Sequence, residues 1–330
     1  MGERSNPIDE RIQIADGLSL RVLRWMASSA VGASADSDTP AGAGARTATG
    51  IAAGTAANAG MTPFVLVHGL ASNARLWDGV ARRLAGAGHS SAAVDLRGHG
   101  RSDKPDTGYD FATISDDLRD LIGRLGPEFD RPILAGQSWG AGVVLDFAVR
   151  YPGLTRGIVL VDGGLTDLGD AFPTWDVCWE RLAPPPLVGM PLASVEGYFR
   201  SAHADWPEEG FEGSLANFEI RSDMTIAPWL SREHHKAILE SMWSQRTAAL
   251  WRALRVPALI LPVDGGEGDW LKAKRGGADA ALAATGAIGT PARVKWFSGD
   301  HDIHAQHPAE LAEAILQAVR DGLFGGAVPA

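Results

Sequence analysis

The chain has 330 residues, 45% hydrophobic and 21% charged, a soluble globular composition with room for one sizeable α/β domain and an insertion. Its formal charge of −10 argues against nucleic acid or an anionic membrane as partner, since both recruit basic patches. A single cysteine, Cys178, excludes an intramolecular disulfide framework; no apolar run spans a bilayer and Met1 to Arg11 lacks a signal-peptide core, so a cytoplasmic protein is expected.

Taken in order, Ile12 to Ile14 and Leu18 to Trp25 read as two short strands joined by an Asp16-Gly17 turn. From Ala27 to Gly60 the chain is mostly Ala, Gly, Ser and Thr, too poor in large apolar side chains to offset the entropy of ordering, which predicts a flexible insertion over 27–61. Phe64 to Val67 is an unbroken apolar run of the kind buried on both faces of a parallel sheet. It ends in His68-Gly69-Leu70 and is followed by a helix from about Leu76 to Leu84. Ser90 to Leu96 supplies the next strand, and Phe111, Ile114, Leu118, Leu121, Ile122 and Leu125 keep helical spacing.

Pro132 to Ala135 leads into Gly136-Gln137-Ser138-Trp139-Gly140, a helix-like run from Gly142 to Tyr151 leads out, and Gly157 to Asp162 is another buried strand. Between Gly163 and about Val256 the alternation stops, and Trp175, Trp179, Trp206, Trp229, Trp243 and Trp251 lie among helical patterns. The stretch is too long for a loop and reads as an inserted helical cap over 165–253. Ala258 to Val263 resumes the sheet, Trp270 to Ala284 reads as a helix, and Arg293 to Phe297 as the last strand. Gly299-Asp300-His301-Asp302 then precedes an amphipathic helix, Pro308 to Val319. The expected fold class is α/β, a mostly parallel doubly wound sheet with an inserted helical cap. The expected organisation is N-terminal strands in 1–26, the insertion in 27–61, the core in 62–164 and 254–330, and the cap in 165–253.

A G-x-S-x-G turn between a buried strand and a helix is the setting of a nucleophile elbow, with its serine above the sheet and a helix N-terminus behind it. A serine hydroxyl is unreactive at neutral pH and needs a base within hydrogen-bond reach. His301, His304 and His307 with Asp300 and Asp302 make a nominal metal set, but the His-Glu-x-x-His helix pattern is absent and loop spacing by threes is not diagnostic. Cys178 reads as a small buried hydrophobe.

Four pieces in this order, His68-Gly69, Asp95 to Ser102, Gly136 to Gly140 and Gly299-Asp300-His301, resemble the α/β-hydrolase family in its branch with a helical cap. The resemblance covers nearly the whole chain except Ala27 to Gly60. It implies a serine hydrolase without metal or cofactor, acting on a small carboxylic ester or lactone: Ser138 as nucleophile, His301 as base, and the backbone N–H groups of Leu70 and Trp139 as oxyanion hole. Arg97 to Ser102 takes a structural role. The family places its acid after the strand following the elbow or one strand later, and both positions carry an aspartate here. Asp162 lies 24 residues beyond Ser138, while Asp264, with Asp269 a little further on, occupies the commoner later position. Pro262-Val263 departs from the glycine expected before Asp264, and the reading leans to Asp162.

The cap tryptophans imply an apolar lining for a small acyl or ring-bearing substrate, with Trp139 facing it, whereas His203, His234 and His235 read as surface or satisfied polar residues. Carbon–carbon bond hydrolysis and cofactor-free perhydrolysis are alternatives on the same three residues, and fold alone does not choose among them. A ligand receptor on a hydrolase scaffold is the more remote alternative, opposed by the intact Ser138 and His301. Epoxide hydrolysis and dehalogenation are disfavoured, because those members carry an aspartate where this chain has Ser138. The oligomeric state is not legible.

Overall fold

A computed structural model describes residues 6–27, 61–265 and 268–325, so the Ala/Gly-rich stretch, apart from its end residues, lies outside the described residues. Ten strands form among them: β1 (Ile8–Gln13), β2 (Ser19–Trp25), β3 (Phe64–Val67), β4 (Ser91–Asp95), β5 (Ile133–Gln137), β6 (Gly157–Val161), β7 (Phe218–Ile220), β8 (Ile226–Pro228), β9 (Ala258–Leu261) and β10 (Ala292–Val294). Eight make one sheet in the order β1-β2-β4-β3-β5-β6-β9-β10. The pairs β1–β2 and β2–β4 are antiparallel, and every pair from β4 onward across the sheet is parallel.

Apolar runs unbroken by polar residues belong in such a sheet because helices cover both faces. Phe64 and Leu66 of β3 point one way, Val65 and Val67 the other, as the two-residue period of a strand requires. One face packs with β5, β6 and β9 residues Leu134, Ile158, Leu160 and Ile260 against α2 (Phe111–Ile122) and α3 (Trp139–Arg150). The other packs Ile133, Ala135, Val159 and Leu261 against Val80 and Leu84 of α1 (Asp78–Gly86), and against Leu311 and Ile315 of α12 (Pro308–Arg320), the last helix among the described residues.

The inserted stretch holds α4 (Leu168–Ala171), α5 (Trp175–Leu182), α6 (Leu192–Ala202), α7 (Glu208–Leu215), α8 (Arg232–Ser244) and α9 (Thr247–Ala253); α10 (Asp269–Ala287) and α11 (Ile303–Gln306) follow in the core. It is not wholly helical, since β7 and β8 form an antiparallel hairpin within it, a short pairing that helix periodicity does not reveal. Two glycines seat α7 on the core: a Cβ on Gly210 would lie 2.8 Å from the Ala305 carbonyl oxygen, and one on Gly213 3.1 Å from that of Arg75. Asn73, just past β3, also donates to the Gly213 carbonyl and to Asn217 Oδ1.

Several boundaries differ from the sequence reading, and the first strand already runs from Ile8 to Gln13 rather than over Ile12 to Ile14. The elbow helix begins at Trp139 rather than Gly142, because Ser138 reverses the chain in one residue. The last strand ends at Val294, and only an isolated bridge from Phe297 to Val263 carries the pairing on. Among the described residues no helix is long and apolar enough to cross a membrane.

Candidate active site

Register brings the first two candidate residues together. Gln137 of β5 pairs with Val161 of β6, and Val161 with Leu261 of β9, so the three strands end level. The next residues inherit that alignment: Ser138 N–H donates to the Val161 carbonyl at 2.9 Å, and Asp162 N–H to that of Leu261 at 3.0 Å. Both turn out of the sheet with positive φ, +54° at Ser138 and +44° at Asp162, a region that costs non-glycine residues energy and clusters at functional sites.

Steric exclusion accounts for the surrounding glycines. A Cβ on Gly136 would sit 2.1 Å from the Gly140 carbonyl oxygen, and one on Gly140 2.5 Å from the carbonyl oxygens of Val67 and His68. Gly163, beyond Asp162, would press on the Ser138 carbonyl at 2.2 Å. Each obstruction is backbone, which cannot swing away. Gly136→Ala is therefore expected to lower stability by about 3 kcal/mol, the upper range for overpacking, read as a reduced urea midpoint at unchanged slope; a wild-type midpoint would contradict the tight-turn account.

His301 follows the last strand and its Nδ1 lies 2.6 Å from Asp162 Oδ2. The Gln137 side-chain amide, one residue before Ser138, donates to the His301 carbonyl at 3.1 Å and ties the two loops together. Asp162 is almost fully buried, and its other oxygen, Oδ1, accepts from Val263 N–H at 2.9 Å and from Lys274 Nζ at 2.7 Å. Burial pushes the Asp162 pKa up, but the hydrogen bond and charge of His301, with the bonds from Lys274 and Val263, outweigh it and leave the carboxyl below its usual range. His301 keeps its side chain 56% exposed; partial desolvation by the surrounding loop depresses its pKa, yet the Asp162 hydrogen bond and the charges of Asp302 and Asp162 raise it above the ordinary 6.5.

Asp264 turns elsewhere: its Oδ2 accepts from Ser298 Oγ at 3.0 Å, and Asp269 opens α10. His304 is fully buried with its ring 4.6 Å from that of Trp77, and desolvation drops its pKa to about 3. Among the described residues no group of three His, Cys, Asp or Glu is arranged to hold a metal ion.

On the other side of Ser138, Gly69 leaves the space its neighbour needs, since a Cβ there would lie 3.2 Å from Ser138 Cβ and 2.4 Å from Gln137 Oε1. Leu70 follows it, packed against the group formed by Leu168, Cys178 and Leu239 with Trp175, Trp179 and Trp243. Trp139 opens α3, so its N–H has no intrahelical partner. Its indole does not face a pocket as expected: it is 2% exposed and stacks on His99 with centroids 5.3 Å apart.

The Asp95 to Ser102 run is held by backbone donors from itself and from neighbouring segments. Asp95 is buried and accepts from Ala74 N–H and Arg101 N–H, while a Cβ on Gly100 would strike its Oδ2 at 2.2 Å. His68 Nε2 accepts from Leu96 N–H, so its Nδ1 carries the proton given to the Gly69 carbonyl, and burial keeps the ring neutral.

The alpha/beta hydrolase family profile matches residues 64–314, most of the chain. The chain belongs to the alpha/beta hydrolase family. Relatives of this alpha/beta hydrolase include the 2-(acetamidomethylene)succinate hydrolase of Mesorhizobium japonicum, 39% identical over 104 residues, which are 31% of this chain and 36% of that protein. The soluble epoxide hydrolase of Corynebacterium sp. is 37% identical over 113 residues, 34% of this chain and 38% of the relative. The chain thus spans about a third of the length of the curated relatives it matches. Among solved structures, E-2-(acetamidomethylene)succinate hydrolase superposes with a TM-score of 0.67 at 21% identity, covering 95% of this chain and 99% of that one. An N-acyl homoserine lactone degrading enzyme gives 0.62 at 16%, covering 93% and 99%. These likenesses establish the fold.

Sequence reasoning on this alpha/beta hydrolase missed Lys274, Gln137 and a set of contacts from the inserted stretch to the His301 loop. Trp206 Nε1 donates to Asp300 Oδ2 at 2.9 Å with His203 Nδ1 3.4 Å away, and Gln306 takes Asp300 N–H while donating to Asp205. No linear spacing announces such contacts. Lys274 did leave a signal, because it shares a helical face with the buried Ala278, Ala281 and Thr285. A lysine on the apolar side of a helix calls for a buried partner.

Proposed function

We propose that this chain is a serine hydrolase that cleaves a small carboxylic ester or lactone through an acyl-enzyme on Ser138. The observation that carries the reading is the His301 Nδ1–Asp162 Oδ2 contact of 2.6 Å beside a serine held at φ +54° between β5 and α3. In this reading Asp162 fixes the proton on His301 Nδ1, leaving Nε2 as the lone pair that takes the Ser138 proton during attack. Charge develops on the former carbonyl oxygen and is met by the N–H groups of Leu70 and Trp139, helped by the positive end of α3. The protonated imidazole then delivers its proton to the departing alcohol, and water activated by His301 releases the acid.

The inserted stretch acts as the cap. Leu70 and the tryptophans Trp175, Trp179 and Trp243 all pack on the apolar cluster of Leu168, Cys178 and Leu239, which supports an apolar acyl or ring-bearing substrate and a small-molecule partner. A fluorophosphonate probe tests the reading directly: stoichiometric labelling mapped to Ser138 is expected, and an unlabelled native protein would overturn it. Esters of graded acyl length, a lactone, a vinylogous 1,5-diketone and a peroxide-trapping assay then separate ester cleavage from carbon–carbon cleavage and perhydrolysis.

A pH prediction follows from the same pair. His301 must be neutral to accept a proton, and the net effect of its surroundings raises its pKa. The acidic limb of kcat/KM is therefore expected above pH 6.5, activity falling as pH drops through it. A limb below that value would contradict this account of the base.

A further inference from the structure

Among the described residues Lys274 is the one lysine that is buried, 7% exposed, and a buried ammonium is costly unless paired and hydrogen-bonded. Its partner is Asp162, the carboxylate that also holds His301. The two oxygens divide the work: Oδ1 takes Lys274 Nζ at 2.7 Å and Val263 N–H at 2.9 Å, and Oδ2 takes His301 Nδ1 at 2.6 Å. Lys274 Nζ donates also to the Val263 carbonyl at 2.9 Å, so one ammonium spans the ends of β6 and β9.

We infer that Lys274 is a positioning residue for the Asp162–His301 pair, its ammonium pinning Asp162 Oδ1 from behind so that Oδ2 is presented to His301 Nδ1. The inference rests on the serine-hydrolase reading for its catalytic consequence. Rotating the Asp162 carboxylate away from His301 would break two donors' bonds in a buried setting, where each unsatisfied group costs on the order of 1–3 kcal/mol. Delivery of the lysine is itself fixed. Gly277, one turn further along α10, would place a Cβ 1.9 Å from the Leu165 carbonyl oxygen, so the helix lies as close as a glycine permits.

The lysine also sets the charge that His301 meets. Asp162 and Lys274 together are neutral, so the imidazolium formed during catalysis faces a balanced pair rather than a bare carboxylate. The titratable and charged groups around His301 are Asp162 after β6, Lys274 on α10, Asp300 and Asp302 in its own loop and His304 on α11, with His203 of the inserted stretch beside Asp300. Of these, Lys274 opposes protonation of His301 while Asp162 and Asp302 favour it. A cavity of about 470 Å³, lined by Trp270, Lys274, Asp300 and His301, lies against the same groups.

Lys274→Met removes the charge and keeps most of the length. It is expected to lower kcat about tenfold or more, leave KM within about twofold, and move the acidic limb of kcat/KM downward, because the Asp162 hydrogen bond that raises the His301 pKa is weakened and that bond outweighs the opposing charge of Lys274. A purely structural prop would leave the limb in place, and an unmoved limb overturns the inference. The wild-type protein gives a second reading. With 15N-labelled lysine, the Lys274 Nζ signal, assigned by its loss in Lys274→Arg, is expected to shift with the His301 titration midpoint. A signal indifferent to that titration also overturns the inference. This coupling does not involve Ser138, so failure of fluorophosphonate labelling would remove the hydrolase reading alone, and labelled Ser138 with an unmoved limb would remove only the role of Lys274.

Discussion

Ser138→Ala is expected to lower kcat/KM for any ester substrate by on the order of 10⁴-fold or more while the protein melts within a degree or two of wild type. The loss is large because in the proposed mechanism the hydroxyl is the attacking group, and in a triad that acts as a unit removing one member costs nearly as much as removing all. The small change in stability has its own cause. The strain at residue 138 belongs to a backbone at φ +54°, closed by the N–H bond to Val161 and by the glycines at 136, 140 and 163, none of which the substitution touches. Burst-phase kinetics and calorimetry on the same preparation check both halves. Turnover near wild type would end the assignment of Ser138, and a collapse in melting temperature would mean that the hydroxyl holds the turn.

The second large effect is expected from Asp162→Asn, again about 10⁴-fold in the chemical step, against tenfold or less for Asp264→Asn. The geometry gives a specific reason. Lys274 Nζ and Val263 N–H both donate to Oδ1, so an asparagine at 162 must keep its carbonyl oxygen there and turn its NH2 toward His301. Nδ1 of His301 would then have to accept, the ring proton would move to Nε2, and the lone pair needed by Ser138 would vanish. The same variant leaves Lys274 buried without its anion, at a cost of about 3–5 kcal/mol, so a lower melting temperature should accompany the lost rate. Asp264 meets only the Ser298 hydroxyl among the described side chains, and its charge reaches the site only through the field. Single-turnover acylation of both variants decides. A large loss at 264 with a small one at 162 would reverse the assignment of the acid.

Much of this was legible in the chain before any coordinates. Phe64 to Val67, Ile133 to Ala135 and Gly157 to Val161 are apolar without interruption, and such runs separated by helix-length segments are buried in a parallel sheet. The glycines of Gly136 to Gly140 announced a turn with no room for side chains, which the carbonyl contacts explain. Those are local properties, set by side-chain size and periodicity within a few residues. The carboxylate that meets His301 was different. Asp162 and Asp264 both end strands, and sequence spacing alone made them near equals.

What separated them was register and long-range pairing. β5, β6 and β9 end level, the loop after β10 carries His301 back over Asp162, and Ser298 draws Asp264 aside. The partner of Asp162 on its far side, Lys274, comes from a residue 112 positions further along, on a helix whose approach is set by Gly277 against Leu165. Periodicity could say that Lys274 lies on a buried face but not which carboxylate it would meet. That pairing exists only once the sheet has fixed the ends of β6 and β9 side by side, because a hydrogen bond is decided within a few tenths of an ångström and a sequence pattern resolves only faces and turns.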